Sequence, residues 1–306
     1  MKKKLTIFGI VLIFLAGVGI MSYPLFSAVV NNLASRSQVE EYTKTTKLMT
    51  SEQTKAFFAQ ANNYNKSLNN NVILTDPFDY DAYEKIGASY EEALNVDGNG
   101  LIGYVDIPKI NVYLPIYHGT TEKVLDVAAG HLQNTSLPVG GESTHAVISA
   151  HTGFPTETFF DYLTDLEDGD EFYIHVLDRT LKYEVDQIEV VLPEDTSDLR
   201  IIRGEDHVTL LTCTPYGINT HRLLVRGKRV AYDDSKYITN SAQAASFGDG
   251  YLFLLGYKIP YWLAGTVIVG FIAFVVFLVV FFVKKSKKKK AQHIEKSDKI
   301  TDGGGK

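Results

Sequence analysis

Hydrophobic positions fall into three textures along the chain. Residues 5–26 and 261–283 are continuously apolar, with no charge over 22 and 23 positions. Residues 30–70 are polar with scattered apolar positions and contain neither Pro nor Gly. Val39, Tyr42 and Thr46, then Phe57, Phe58 and Ala61, approximate the spacing of one helix face, which predicts one or two amphipathic helices. From about Leu101 the apolar runs become short, β-branched and aromatic: "IGYVDIPKINVYLPIYHG", "HAVISAHTG", "DEFYIHVLDRTLKYEVDQIEVVLP", "HVTLLTCTP" and "HRLLVRGKRVAY". Gly, Pro, Asn and Asp punctuate them, the pattern of a mainly β domain, a closed barrel or a sandwich, over residues 101–231. Leu181, Tyr183 and Val185 alternate as the second half of a hairpin. Within "TETFFDYLTDLEDGDEF", residues 159–166 read as a short helix ended near Gly169.

The two terminal runs each exceed the roughly 20 apolar residues a helix needs to cross a bilayer. Lys2, Lys3 and Lys4 precede the first; Lys284, Lys285 and the lysines at 287–290 follow the second. Positive flanks stay inside, so the expectation is a two-pass cell-membrane protein with both termini cytoplasmic and the middle extracellular. A cleavable signal peptide has a shorter apolar core and a small-x-small cleavage site; the first run is longer and the stretch around Ser27 and Ala28 lacks that spacing, so it reads as a retained anchor. The expected organisation is a cytoplasmic start (1–4), a transmembrane anchor (5–26), a helical region with a loop at Asp76-Pro77 (27–100), the β domain (101–231), a linker back to the membrane (232–260), a second transmembrane helix (261–283) and a basic tail (284–306). The tail lysines suit anionic lipid headgroups.

Charge narrows the partners. Residues 27–258 hold 33 acidic and 18 basic side chains, an excess that argues against nucleic acid, whose phosphates require basic patches. The chain shows no Gly-rich phosphate loop and no Cys/His spacing of a metal site, so neither cofactor nor metal is expected.

Cys213 is the only cysteine. An exported thiol without a disulfide partner is either reactive or an inert buried side chain. It ends the run "HVTLLTCTP", and Arg222 opens the next run across a loop containing Pro215 and Gly217. A thiol becomes a nucleophile beside a cation or an imidazolium, and an arginine fork suits a developing oxyanion. Eight histidines compete for the base role. His221 adjoins Arg222, and successive strand residues face opposite sides, so only one of the two can look at Cys213. His175 sits inside an apolar strand and reads as structural. His151 ends a strand and opens onto a loop, a common place for catalysis. An ordinary structural histidine is its main competitor.

These residues carry a resemblance. "TLLTCTPYGINTHRLLVRGKR" and "HAVISAHTG" resemble the cysteine–arginine and histidine segments of the sortases, and "GHLQNTSLPVGG" and "IGYVDIPKINVYLPIYHG" resemble further sortase segments. The resemblance implies a sortase-type closed β-barrel with short helices, with His151, Cys213 and Arg222 as the catalytic triad. It implies a transpeptidase that cuts an LPxTG-type sorting signal between Thr and Gly. Cys213 attacks the Thr carbonyl, Arg222 holds the oxyanion, and a protonated His151 serves the leaving amine. Two anchors and "TDPFDY" are similar to the class C, pilin-polymerising sortases, which implies a lid formed by Asp76, Pro77 and Phe78 and a pilin lysine as acceptor. On that reading Asp76 pairs with Arg222 and Phe78 covers Cys213; an exposed pair, contributing only about 0.2–1 kcal/mol, would make closure a modest bias. The alternatives are a housekeeping sortase anchoring surface proteins to peptidoglycan precursor, a tethered cysteine peptidase, and a non-catalytic surface binding module.

Overall fold

The computed structural model describes residues 2–68, 74–79, 88–154 and 158–233, then 251–254, 257–260 and scattered positions from 262 to 284. Two compact units are present, residues 1–249 and 250–306.

In the first unit, helix α1 (Lys2–Lys47) runs 46 residues. The apolar run and the first part of the polar region after it form one continuous helix. Among the residues whose side chains are described, no helix is long and apolar enough to cross a membrane; much of both apolar runs lies outside that set. The C-terminal part of α1 presents Val39, Tyr42 and Thr46 as a buried stripe. Tyr42 donates its hydroxyl to the Ile102 carbonyl at 3.0 Å and accepts from the Leu177 amide at 2.8 Å, so one buried phenol ties α1 to two barrel segments.

Helix α2 (Ser51–Ser67) starts at a capping box, with Thr50 and Gln53 satisfying each other's backbone amides. That arrangement meets two of the amides a helix start leaves unpaired. Phe58 and Ala61 are buried on it. Asn65 donates to the Leu137 carbonyl at 3.1 Å and accepts from the Leu137 amide at 2.7 Å. Short α3 (Ala88–Glu92) and α4 (Glu122–Leu125) are the other α-helices among the described residues of this unit.

The β runs close into an eight-stranded barrel of β1 (Leu101–Ile107), β2 (Val112–His118), β3 (Ala129–His131), β4 (Thr144–Ser149), β5 (Glu171–Val176), β6 (Arg179–Val191), β7 (Asp206–Thr214) and β8 (His221–Val230). Their order around the barrel is β1-β2-β3-β4-β7-β8-β6-β5. The barrel domain is mainly β with short helices, as the period-2 alternation predicts, and the longer α1 and α2 precede it. Closure leaves no open edge. Leu181, Tyr183 and Val185 on β6 are all buried. The pairs β2–β3 and β4–β7 are parallel. The pairing of β4 with β7 matters for function, because it sets the C-terminal ends of two strands side by side.

Residues 159–166 do not form the expected helix; only a single 3-10 turn, Leu163–Asp165, is present. Asp161 is the reason. Its carboxylate accepts from the Gly153 amide at 2.7 Å and the Phe159 amide at 3.1 Å, and such side-chain bonds to backbone compete with a helix. Gly169 does end the segment, at φ +87°.

In the second unit, β9 (Tyr251–Leu254) and β10 (Tyr257–Pro260) form a two-stranded antiparallel sheet. The expected linker over 232–260 therefore contains a hairpin; its aromatic and β-branched residues favour extended pairing. Residues 234–250 of that linker, much of the second apolar run and the tail after residue 284 lie outside the described residues.

Candidate active site

Three strand ends assemble the site. On the antiparallel pair β7–β8, Cys213 lies directly opposite Arg222, and Thr214 opposite His221. Arg222, not His221, therefore shares the face of Cys213. The end of β4 is pinned to β7: the Ala150 amide donates to the Leu211 carbonyl at 3.2 Å, and Thr212 Oγ1 donates to the Ala150 carbonyl at 2.7 Å. His151 leaves β4 at that point.

Three other buried histidines serve elsewhere. His145 bonds the Arg200 carbonyl and Thr209 Oγ1 at 2.9 and 2.7 Å. His131 is held between Tyr90 and the Ser136 carbonyl. His175 stacks on Tyr104 with ring centres 4.2 Å apart. Burial holds His131 and His175 near pKa 3 and His145 near 4, so all three are neutral packing elements at ordinary pH.

The segment Asp76-Pro77-Phe78 crosses the front of these strands. Arg222 Nε donates to Asp76 Oδ1 at 2.8 Å and Nη2 to Asp76 Oδ2 at 2.5 Å. Arg222 Nη1 donates to the carbonyls of Asn219 and His221 at 3.1 and 3.0 Å. Both charged side chains are largely covered, with 10% and 12% of their surface exposed. The expectation of an exposed pair thus gives way to a buried, bidentate one, a stronger class of contact. Phe78 lies between His151 and Arg222. Its ring centre is 5.3 Å from that of His151 and 5.2 Å from the Arg222 guanidinium carbon. Phe154 stacks on His151 as well, at 5.2 Å and 9°. Pro77 is buried. Leu74 and Phe78 also pack on an apolar floor of Leu132, Val147, Leu199, Leu211 and Leu224. All six sequence-predicted residues are therefore brought into one place.

Burial and the neighbouring charges set the protonation of this site. Burial pushes the Cys213 thiol up to about 11; Arg222 opposes the rise and Asp76 adds to it. Burial also lowers the His151 imidazole, partly offset by Asp126. Burial thus holds thiol and imidazole both toward their neutral forms.

Sequence reasoning missed Asp161. Besides its bonds to Gly153 and Phe159, it lies where the Phe160 amide donates to the His151 carbonyl at 2.9 Å. It thereby braces the loop that carries His151. The available signal was an acidic residue among aromatics, Phe159-Phe160-Asp161-Tyr162, where an apolar helix face would have been interrupted. Among the described residues no group of three or more His, Cys, Asp or Glu side chains is placed to hold a metal ion.

Comparison with known proteins places this geometry. The Sortase domain family matches residues 105–230. The solved structure of sortase C-1 from Streptococcus pneumoniae is 47% identical, with a TM-score of 0.60, over 64% of this chain and 100% of that one. Sortase C-1 from Actinomyces oris is 46% identical, with a TM-score of 0.56, over 59% of this chain and 99% of that one. This chain belongs to the sortase family. Its structural neighbours are class C sortases, among them a pilus-related sortase C of Group B Streptococcus at 44% identity and a TM-score of 0.58, over 64% of this chain and 97% of that one. Among curated relatives, sortase D of Bacillus subtilis is 31% identical over 131 residues, 42% of this chain and 63% of that protein. The match thus spans a little under two thirds of that relative.

Proposed function

We propose that this sortase is a membrane-anchored cysteine transpeptidase of the pilin-polymerising class. The observation that carries the reading is the closed arrangement of Cys213, Arg222 and His151 under Asp76 and Phe78. A structural thiol has no need of a buried arginine opposite it, itself capped by a carboxylate from a distant loop.

Asp76, Pro77 and Phe78 act as a lid. When a sorting signal of the LPxTG type displaces them, Arg222 regains its donors and Cys213 loses the carboxylate that adds to the rise burial gives its pKa. The Cys213 proton passes to His151, and the thiolate attacks the Thr carbonyl. Arg222 donates to the oxyanion. The C–N bond to Gly breaks as His151 returns the proton to the leaving amine, and a thioacyl group remains on Cys213. A pilin lysine then attacks this thioester with His151 as base, forming an isopeptide bond and restoring the thiol. The thioester conserves the acyl energy, so neither nucleotide nor metal takes part.

The topology that suits this chemistry has residues 5–26 and 261–283 crossing the membrane, both termini inside, the barrel outside and the lysine-rich tail on anionic lipid. The lid distinguishes this reading from a housekeeping sortase, because gating suits an enzyme that must reject water and wrong acceptors between turnovers. Incubation of the full chain with a pilin subunit bearing the sorting signal should yield covalent pilin multimers joined through lysine. Release of the cleaved pilin alone, with no multimers at high pilin concentration, would instead indicate a peptidase.

A further inference from the structure

The barrel face that carries Cys213 holds, close to that residue, a buried hydroxyl with no partner in the closed enzyme. Ser149 ends β4 and is fully buried, and its hydroxyl has no hydrogen-bond partner among the described residues. A buried hydroxyl without a partner costs about 1–3 kcal/mol, so its place needs a reason.

Register supplies the position. Ser149 pairs with Leu211 on β7 and with Gly130 on β3. Strand residues two apart share a face, so Ser149 lies on the face of Val147, and its neighbour Leu211 lies on the face of Cys213. Val147 and Leu211 belong to the apolar floor beneath Phe78. His151, two residues beyond Ser149, also meets the Phe78 ring. Ser149 therefore sits between the apolar floor and the candidate catalytic residues, along the line that Phe78 covers. Its strand neighbour Gly130 has no side chain that could reach the hydroxyl.

We infer that Ser149 is a substrate-binding residue, whose hydroxyl donates to a main-chain carbonyl oxygen of the extended sorting peptide once Phe78 has left the groove. The inference rests on the function proposed above. The ligand class follows from the surroundings. The floor takes apolar side chains, Cys213 takes the scissile carbonyl, and between the two an extended peptide offers backbone groups that need partners when they leave water. A serine hydroxyl can meet one of them without discriminating among side chains.

The test uses the full chain in detergent carrying Asp76→Ala and Phe78→Ala, so that lid opening does not mask the effect. A fluorescence-quenched peptide containing Leu-Pro-Ala-Thr-Gly is the probe. Adding Ser149→Ala should lower kcat/KM roughly five- to tenfold, the worth of one neutral hydrogen bond, mainly through KM. Alkylation of Cys213 by iodoacetamide should stay unchanged. The melting temperature should be equal or higher, because a buried orphan hydroxyl is replaced by a methyl group. A kcat/KM within twofold of the parent overturns the inference alone. A fall in kcat/KM matched by slower alkylation or a lower melting temperature also overturns it, in favour of a structural hydroxyl. A parent that neither cleaves the peptide nor forms an adduct on Cys213 overturns the proposed function, and this inference with it.

Discussion

Asp76 and Arg222, 146 positions apart in sequence, are joined by two parallel hydrogen bonds of 2.8 and 2.5 Å across the mouth of the site. The same arginine faces Cys213 across β7 and β8. One carboxylate therefore occupies the donors the oxyanion would use and adds to the rise that burial gives the thiol pKa. Asp76→Ala with Phe78→Ala should speed Cys213 alkylation by a small neutral reagent. The pH midpoint of alkylation should move below that of the parent, because the removed charge is one that favours the protonated thiol. Equal rates and equal midpoints would show that the segment is an ordinary turn.

Arg222→Lys tests the oxyanion role. A lysine keeps the charge but loses the planar fork. Turnover of a sorting peptide should fall by about 10²–10³, the usual cost of losing an oxyanion donor. Nearly full turnover would remove Arg222 from that role.

Asp161 braces the His151 loop through the Gly153 and Phe159 amides. Asp161→Ala should leave both amides without their acceptor, at a cost of about 1–3 kcal/mol in stability, and should reduce turnover more than it reduces Cys213 alkylation. Burial raises the Asp161 carboxyl to about 6 from 3.8. Between those two values the unfolded chain is ionised while the native chain keeps the proton, so this group's contribution to stability falls as pH rises from about 4 to 6. Asp161→Asn should flatten that slope, and chemical denaturation at several pH values measures it.

The Tyr42 hydroxyl satisfies the Ile102 carbonyl and the Leu177 amide at once. Tyr42→Phe should cost about 1–3 kcal/mol by leaving buried backbone groups unpaired. Protease cleavage within residues 33–47 should become faster, since the α1 stripe is then held by packing alone. Unchanged cleavage would mean that Val39 and Thr46 suffice to dock the helix.

The barrel was legible in the sequence because each strand carries its own signal. Leu181, Tyr183 and Val185 alternate, and Gly or Pro marks the turns. Cys213 and Arg222 were legible as strand-end residues, although spacing alone could not say that they stand opposite each other; the β7–β8 register settles that. The burial of the Asp76–Arg222 pair was not legible, since it depends on Leu74 and Phe78 finding the floor formed by Leu132, Val147, Leu199, Leu211 and Leu224. Asp161 was hidden because its partner amide on Gly153 is eight residues away, beyond any helical period. Ser149 was hidden for a related reason: nothing in "AVISAH" distinguishes a buried orphan hydroxyl from a bonded one.

The most direct measurement is intact-mass spectrometry and peptide mapping of the full chain after brief exposure to an excess of LPxTG-type peptide, with and without a lysine-containing acceptor. The account predicts an acyl group ending in Thr on Cys213, its absence in Cys213→Ala, and its transfer to the lysine side chain when acceptor is present. No adduct on Cys213, with the peptide intact or cut at another bond, would contradict it.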